Sequence, residues 1–249
     1  MIHNSTIDHQ LNHRSIRAFK PQPLSKEQLT TLYEAARHTS TSMFMQQFSI
    51  LHLTDEKKRA AVRQLGNQPY IGQNGDLLIF LVDLYRNQKI RQAAGKDDGR
   101  LHTTDIFQQA VEDTVLAVQN TLVAAESMGL ILGSIKNDPM ELIRVLDLPK
   151  MTFPLLGLQV GIPDQDPQLK PRLPLDTLVM ENDYHRDFSA DDLKDYDQEV
   201  TQYYDLRDAN RRIDSFTKQI AGAKLDNHET TRDKLSAALQ YQGLALDWQ

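Results

Sequence analysis

The sequence predicts an α+β fold, and three observations predict it. Segments with strand character are short and end by Val160, in the first two thirds of the chain. Helical segments outnumber them roughly two to one by periodicity, and they alone occupy the last third. The composition is that of a packed protein: 40% hydrophobic and 25% charged over 249 residues. Those values exclude a disordered, collagen-like or fibrous chain. The length easily buries a core, as one large domain or two small ones.

Taken in order, residues 6–12 read as a short helix. Pro21 and Pro23 then force an extended crossing. Ser25 and Gln28 have capping-box spacing, and Leu29, Leu32, Tyr33 and Ala36 form the helical stripe behind them. Residues 48–53 alternate apolar and polar, which suits a strand, and 55–65 return to helical spacing. The stretch 77–84 has the length and the fully apolar middle of a buried strand. The longest helix is predicted over 105–128. Phe107, Val111, Thr114, Val118, Leu122, Ala125 and Met128 line one face, and Ala110, Ala117 and Ala124 carry the apolar surface onto a second. A helix apolar on two sides is central to the fold or buried in a dimer. Gly129 is placed to end it.

Asp138 and Pro139 look like the N-cap and first residue of a further helix. Residues 153–160 form a third apolar strand, stopped at Gly161 and Pro163. A proline-rich loop follows over 164–174. Residues 189–206 are helical with a Ser189–Asp192 cap, and helical stretches return over 212–220 and 229–241. The expected organisation is a single domain over 1–249, with 189–249 as a helical extension.

Several function classes drop out. The chain has no cysteine, which removes disulfides, thiolate metal sites and a cysteine nucleophile. The longest apolar run, Leu77 to Val82, is six residues, against about twenty for a membrane helix. The opening MIHNSTIDHQ is too polar for a signal peptide, so a cytoplasmic protein without membrane contact is expected. A net charge of −6 argues against general nucleic-acid binding. There is no G-x-G-x-x-G, no Walker loop, no H-E-x-x-H and no G-x-S-x-G, and the histidines are scattered, so no metal is expected. What remains is chemistry carried by something the protein binds.

Two clusters stand out. His13, Arg14, Ser15 and Arg17 place two guanidiniums, an imidazole and a hydroxyl in five residues. Arginine forks match phosphate oxygens, and serine adds a neutral donor. Lys170 and Arg172 flank Pro171, whose stiff backbone holds both cations at lower entropic cost. Together the clusters could surround a phosphate monoester. Taken alone, the pentapeptide is more often a set of surface cations in salt bridges.

These residues do not stand alone. His13-Arg14-Ser15-Ile16-Arg17 followed by Phe19 resembles the opening signature of the nitroreductase-like flavoproteins. Thr39-Ser40-Thr41-Ser42, with Phe44 and Gln46, is similar to their flavin-ring loop, and Gly66-Asn67-Gln68 to the segment at the redox edge of the ring. The block from Gly157 to Pro163, ending in Lys170-Pro171-Arg172-Leu173-Pro174, resembles the oxygen-insensitive NADPH nitroreductase and NADPH–flavin oxidoreductase branch. The blocks keep the family's order and spacing over residues 7–215.

The resemblance implies a mixed β-sheet surrounded by helices, in an intertwined homodimer with FMN in two sites at the dimer interface. It implies that His13, Arg14, Ser15 and Arg17 approach the ribityl phosphate and the nearby ring edge, with Lys170 and Arg172 completing the clamp. Thr41, Gln46 and Gln68 would hold the isoalloxazine, with Ile131, Leu132, Gly133 and Ser134 along its other flank. At Gly133 a backbone can approach a flat ring closely. Tyr204, Arg207, Arg211 and Arg212 would receive NADPH. Read from residues alone, those arginines serve equally as a solvated helix face paired with Asp205, Asp208 and Asp214. Met43 and Phe44 would form an apolar mouth for flat acceptors. Met43 stands where the family has a small polar residue, and Ser134 where it often has a second glycine.

The implied activity is two-electron, ping-pong reduction of nitroaromatics, quinones or free flavins at flavin N5, with NADPH as donor and no protein acid or base. Two other jobs fit the same residues: a flavin reductase supplying reduced FMN to a partner enzyme, and a non-catalytic flavin-binding regulatory module.

Overall fold

The computed structural model describes residues 1–248 apart from 129–130, 136–137, 185–186, 208–213, 224 and 228, and without the side chains of 127, 131–135 and 204–207. The helices are α1 (Ser5–Leu11), α2 (Lys26–Arg37), α3 (Glu56–Gly66), α4 (Tyr85–Ala93), α5 (Thr104–Ser127), α6 (Pro139–Leu146), α7 (Leu175–Leu178), α8 (Lys194–Arg207), α9 (Phe216–Ile220) and α10 (Leu235–Gln242). The strands are β1 (Phe48–Leu53), β2 (Asp76–Asp83), β3 (Ile131–Ile135) and β4 (Thr152–Gly161). Residues 1–166 and 230–249 form one compact unit, and 167–229 a second.

Local chemistry explains most boundaries. Ser25 and Gln28 form a reciprocal capping box on α2. Asp55 accepts the amides of Lys57 and Lys58 at the start of α3, and Asp138 does the same for Met140 and Glu141 ahead of Pro139. Three elements lack a sequence expectation: α4, β3 and α7. Helix α4 carries no buried residue and therefore no apolar stripe. Its first amides are taken by Asp83 at the end of β2, Tyr85 N at 3.1 Å and Arg86 N at 3.4 Å. Strand β3 has Gly133 at its centre, and its existence depends on its partner strand. The stretch expected over 212–220 is helical from Phe216, with 212 and 213 outside the described residues.

The sheet of the first unit has the order β1-β2-β4-β3. Every pairing among the described strands is antiparallel, whereas the resemblance implies a mixed sheet. Strands β1 and β3 are the edges. Strand β2 is buried throughout because helices cover both faces. Leu78 and Phe80 pack in a core with Leu32 and Ala36 of α2 and Ala117 and Ala125 of α5. Leu77, Ile79 and Leu81 face the opposite way, into a core with Val62 of α3 and Leu142 and Leu146 of α6. That two-sided burial is why the run 77–82 has no polar alternation.

A third core joins Val82, Phe107 and Phe153 to Ala238, Leu239, Leu244 and Ala245 of the C-terminal segment. Phe107 and Phe153 meet edge to face, with centroids 6.2 Å apart. The second unit contains α7, α8 and α9. There Asp197 of α8 accepts hydrogen bonds from the Thr217 amide at 2.9 Å and from the Thr217 hydroxyl.

Candidate functional site

The basic segment 13–17 leaves the end of α1 and is fastened to the far end of β4. Lys20 N donates to Ile162 O at 2.9 Å, Asp164 N to Ala18 O at 2.9 Å, and Phe19 bridges Pro163. The Gln165 side-chain oxygen accepts the amides of Arg17 at 3.0 Å and Ala18 at 2.6 Å. Ile16 and Phe19 are buried beneath this segment, while His13, Arg14 and Ser15 are half-buried and Arg17 is exposed. The Arg14 guanidinium pairs with Asp166 through Nη1, and its Nε is buried with no partner among the described residues. His13 Nδ1 contacts Glu126, in the last turn of α5.

The close approach of β4 to this segment requires glycine. A Cβ on Gly161 would lie 2.9 Å from the Phe19 ring. On Gly75, at φ +71°, a Cβ would collide with the Val160 carbonyl oxygen. The segment 67–75, which begins beside Gln68, is held by charged side chains on its carbonyls. Arg59 Nη2 donates to Gly72 O at 2.6 Å and Gly75 O at 2.9 Å, and Arg63 Nε donates to Ile71 O at 2.7 Å. Gln159 of β4 accepts Gly72 N at 2.9 Å and donates to Asn74 O at 2.6 Å. Gln68 itself is exposed, and its Oε1 accepts from the Tyr70 hydroxyl.

The loop 41–46 is strained. Met43, Phe44 and Gln46 have φ of 49°, 59° and 50°, a region that costs a non-glycine residue about 1–2 kcal/mol. Such strain persists where surroundings over-determine it, and here they do. The buried Asp113 carboxylate of α5 accepts Ser42 N at 2.7 Å and Gln47 N at 3.2 Å. Arg86 Nη2 donates to Gln46 O at 2.8 Å, Asn87 Nδ2 to Met45 O at 3.2 Å, and Gln46 N to Thr41 Oγ1 at 3.4 Å. Thus pinned, the loop presents Met43 and Phe44 to solvent, 65% and 82% exposed.

Phe44 and Gln46 line a cavity of about 950 Å³ beside the edge strand β1, with apolar Phe48, Ile50 and Ile90 and cationic Arg37, Arg86 and Arg91. On its wall the Tyr33 hydroxyl lies 3.0 Å from His52 Nδ1, and His52 Nε2 lies 2.9 Å from Asp76. Burial, reinforced by the Asp76 charge, pushes the Tyr33 hydroxyl above its ordinary pKa.

Ile131, Leu132, Gly133 and Ser134 occupy β3, with Gly133 opposite Gln159 and Ser134 opposite Leu158. Lys170 and Arg172 belong to the second unit, where Arg172 Nη1 donates to Lys170 O at 2.8 Å. Tyr204 and Arg207 lie in the last turn of α8; Arg211 and Arg212 lie outside the described residues. The supports (Asp113, Glu126, Gln165 and Asn74, whose Nδ2 donates to Phe19 O at 2.9 Å) carry no local sequence signal, because each acts on a segment distant in the chain. Among the described residues no group of three or more His, Asp or Glu could hold a metal ion, and no helix is long and apolar enough to cross a membrane.

The residues present fit a phosphorylated flavin. An orphaned, buried guanidinium nitrogen in a cationic segment suits a phosphate oxygen, and an apolar, pinned loop suits a flat ring.

The comparisons with known proteins agree on one family. The family model described as "Nitroreductase family" matches residues 11–162, and that described as "Nitroreductase family, C-terminal domain" matches 170–247. The chain belongs to the nitroreductase family. It is 38% identical over 216 residues to an "NADPH-dependent oxidoreductase" of Staphylococcus aureus strain bovine RF122 / ET3-1, covering 84% of this chain and 86% of that one. It is 39% identical over 226 residues to "FMN reductase (NADPH)" of Bacillus subtilis strain 168, covering 87% and 90%. The crystal structure of nitroreductase A from Vibrio parahaemolyticus superposes with a TM-score of 0.89 at 36% identity, covering 98% of this chain and all of that one.

Proposed function

We propose that this chain is an NADPH-dependent FMN oxidoreductase that acts as a cytoplasmic homodimer on a small-molecule acceptor. The observation that carries the reading is the segment 13–17, locked to the end of β4 with a buried Arg14 nitrogen still unpaired, in a chain of this family. The names of its relatives from S. aureus and B. subtilis point to the same donor and to FMN. The chemistry FMN supplies when bound is two-electron transfer, from NADPH to a nitroaromatic, quinone or free flavin, in two half-reactions.

The protein's own residues bind, orient and shield. Arg14, Ser15 and Arg17 take the phosphate, and the resemblance adds Lys170 and Arg172 to them. Thr41, Gln46 and Gln68 hold the ring system, with the β3 backbone at Gly133 as a flat flank. Tyr204, Arg207, Arg211 and Arg212 receive NADPH. In this reading the whole of 1–249 serves one flavin-binding function.

The dimer has support in the length of α5. Asp113 anchors the ring loop and Glu126 contacts the phosphate segment. Glu126 follows Asp113 by thirteen positions, about 20 Å along the helix axis and about 140° around it. One flavin ring does not span that distance around a helix. That spacing supports the reading, implied by the resemblance, in which the ring loop and the phosphate segment of one protomer serve different flavins, each completed by the partner. Val115 and Leu116 lie between the two anchors, 44% and 46% exposed, and suit a face covered in a dimer.

The test is an absorption spectrum of purified protein before and after anaerobic NADPH. Flavin bands that bleach are expected. Bands that persist would leave a flavin-binding protein without this donor. A colourless protein that cannot be reconstituted with FMN would overturn the reading.

A further inference from the structure

Glu126 is a buried carboxylate to which the proposed function gives no task. It is 8% exposed and sits next to the last residue of α5. Both facts make the position costly. Burial removes water from the charge, and the unpaired carbonyls of a helix C-terminus repel it. Among the described residues a single contact answers that cost: Oε1 meets His13 Nδ1. Oε2 is buried with no partner among the described residues. An amide would tie α1 to α5 just as well and would avoid the buried charge. The carboxylate therefore does something to the imidazole that an amide cannot.

We propose that Glu126 is a positioning residue for His13, accepting a hydrogen bond from Nδ1–H while the protonated Nε2 of the same ring donates to the flavin phosphate. An imidazole has one polar atom at each side, and the bond made by one nitrogen sets the role of the other. A carboxylate that accepts Nδ1–H fixes the ring plane and makes the opposite nitrogen hold a proton more readily, so that a ring set between that carboxylate and a phosphate carries both of its protons. His13 is 29% exposed at the side chain and adjoins Arg14, whose buried Nε has no partner among the described residues. The ring would lie between two anions and donate to both. This inference rests on the FMN reading.

Flavin-stripped protein, titrated with FMN and separately with riboflavin by fluorescence quenching, tests it. Riboflavin lacks the phosphate, so it reports the ring site and the fold. Glu126→Gln is expected to weaken FMN about tenfold, the low end for losing a charge-assisted bond, and to leave riboflavin within about twofold. His13→Gln is expected to do the same, and Glu126→Gln to add less than about twofold on the His13→Gln background. In the wild-type FMN complex, nitrogen NMR of the ring should find both His13 nitrogens protonated, a measurement that needs no variant. Equal weakening of FMN and riboflavin by Glu126→Gln would reduce Glu126 to a structural tie and overturn the proposal. So would an undiminished effect without His13, or a bare Nε2 in the complex. A wild-type chain that binds neither flavin would overturn the FMN reading itself.

Discussion

Replacing Asp113 with alanine isolates what holds the ring loop in its strained form. The carboxylate accepts Ser42 N at 2.7 Å and Gln47 N at 3.2 Å, with Gln47 Nε2 at 3.4 Å. A hydrogen bond to a charged acceptor contributes about 1.5–3 kcal/mol. The first contact belongs at the upper end, the second at the lower, and the third is too long to count for much. Against their sum stands the relief of a carboxylate that is 1% exposed, which brings the net loss to about 3 kcal/mol. Met43, Phe44 and Gln46 hold left-handed backbone and have every reason to relax once released. Because the chain forms two units, one global unfolding free energy is a poor measure. Amide hydrogen exchange reads the loop directly. At about 1.4 kcal/mol per factor of ten, exchange at Ser42 and Gln47 should quicken by about a hundredfold, with β2 unchanged. If both amides keep wild-type protection in Asp113→Ala, the carboxylate does not hold the loop, and the argument that spaces the two half-sites along α5 loses one end.

Two further outcomes concern stability. Gly75→Ala should cost about 3 kcal/mol or more, since it combines a left-handed backbone with a collision at the Val160 carbonyl; a thermal midpoint within about a degree of wild type would show that the 67–75 segment can shift. Asp247 accepts both the hydroxyl and the amide of Thr104 at 2.6 Å, and those bonds, first the hydroxyl and then the amide, hold its carboxyl below the usual range. Its contribution is therefore complete above the unfolded value of about 3.9 and fades as pH falls through the lower folded value. Asp247→Asn should lower the thermal midpoint at pH 7 and narrow its gap to wild type at pH 2.

The legible part of the fold is the part written locally. Ser25 with Gln28, Asp138 with Pro139, and Ser189 with Asp192 each mark a helix start by side chains that reach only two or three residues. Leu77 to Val82 announced a strand covered on both faces. Helix α4 was illegible because its cap, Asp83, belongs to a strand and its own residues bury nothing. Strand β3 was illegible because β4 alone makes it a strand. The candidate site divides the same way. Residues 13–17 and 39–46 are contiguous and could be read as blocks. Glu126 meets His13 across 113 residues and Gln165 meets Arg17 across 148, and no window of sequence holds both partners.

The return of residues 230–249 to the first unit has a consequence for the order of events at the ribosome. The second unit is synthesised before the segment that supplies Leu239 and Leu244 to the core of the first. Until that segment emerges, Phe107 and Phe153 have an open side, and the nascent chain displays apolar surface while more than sixty residues are added. At about 5–20 residues per second, that exposure lasts several seconds. Occupancy by chaperones during synthesis, rather than the finished protein's stability, is where substitutions at Leu239 or Leu244 would first be felt.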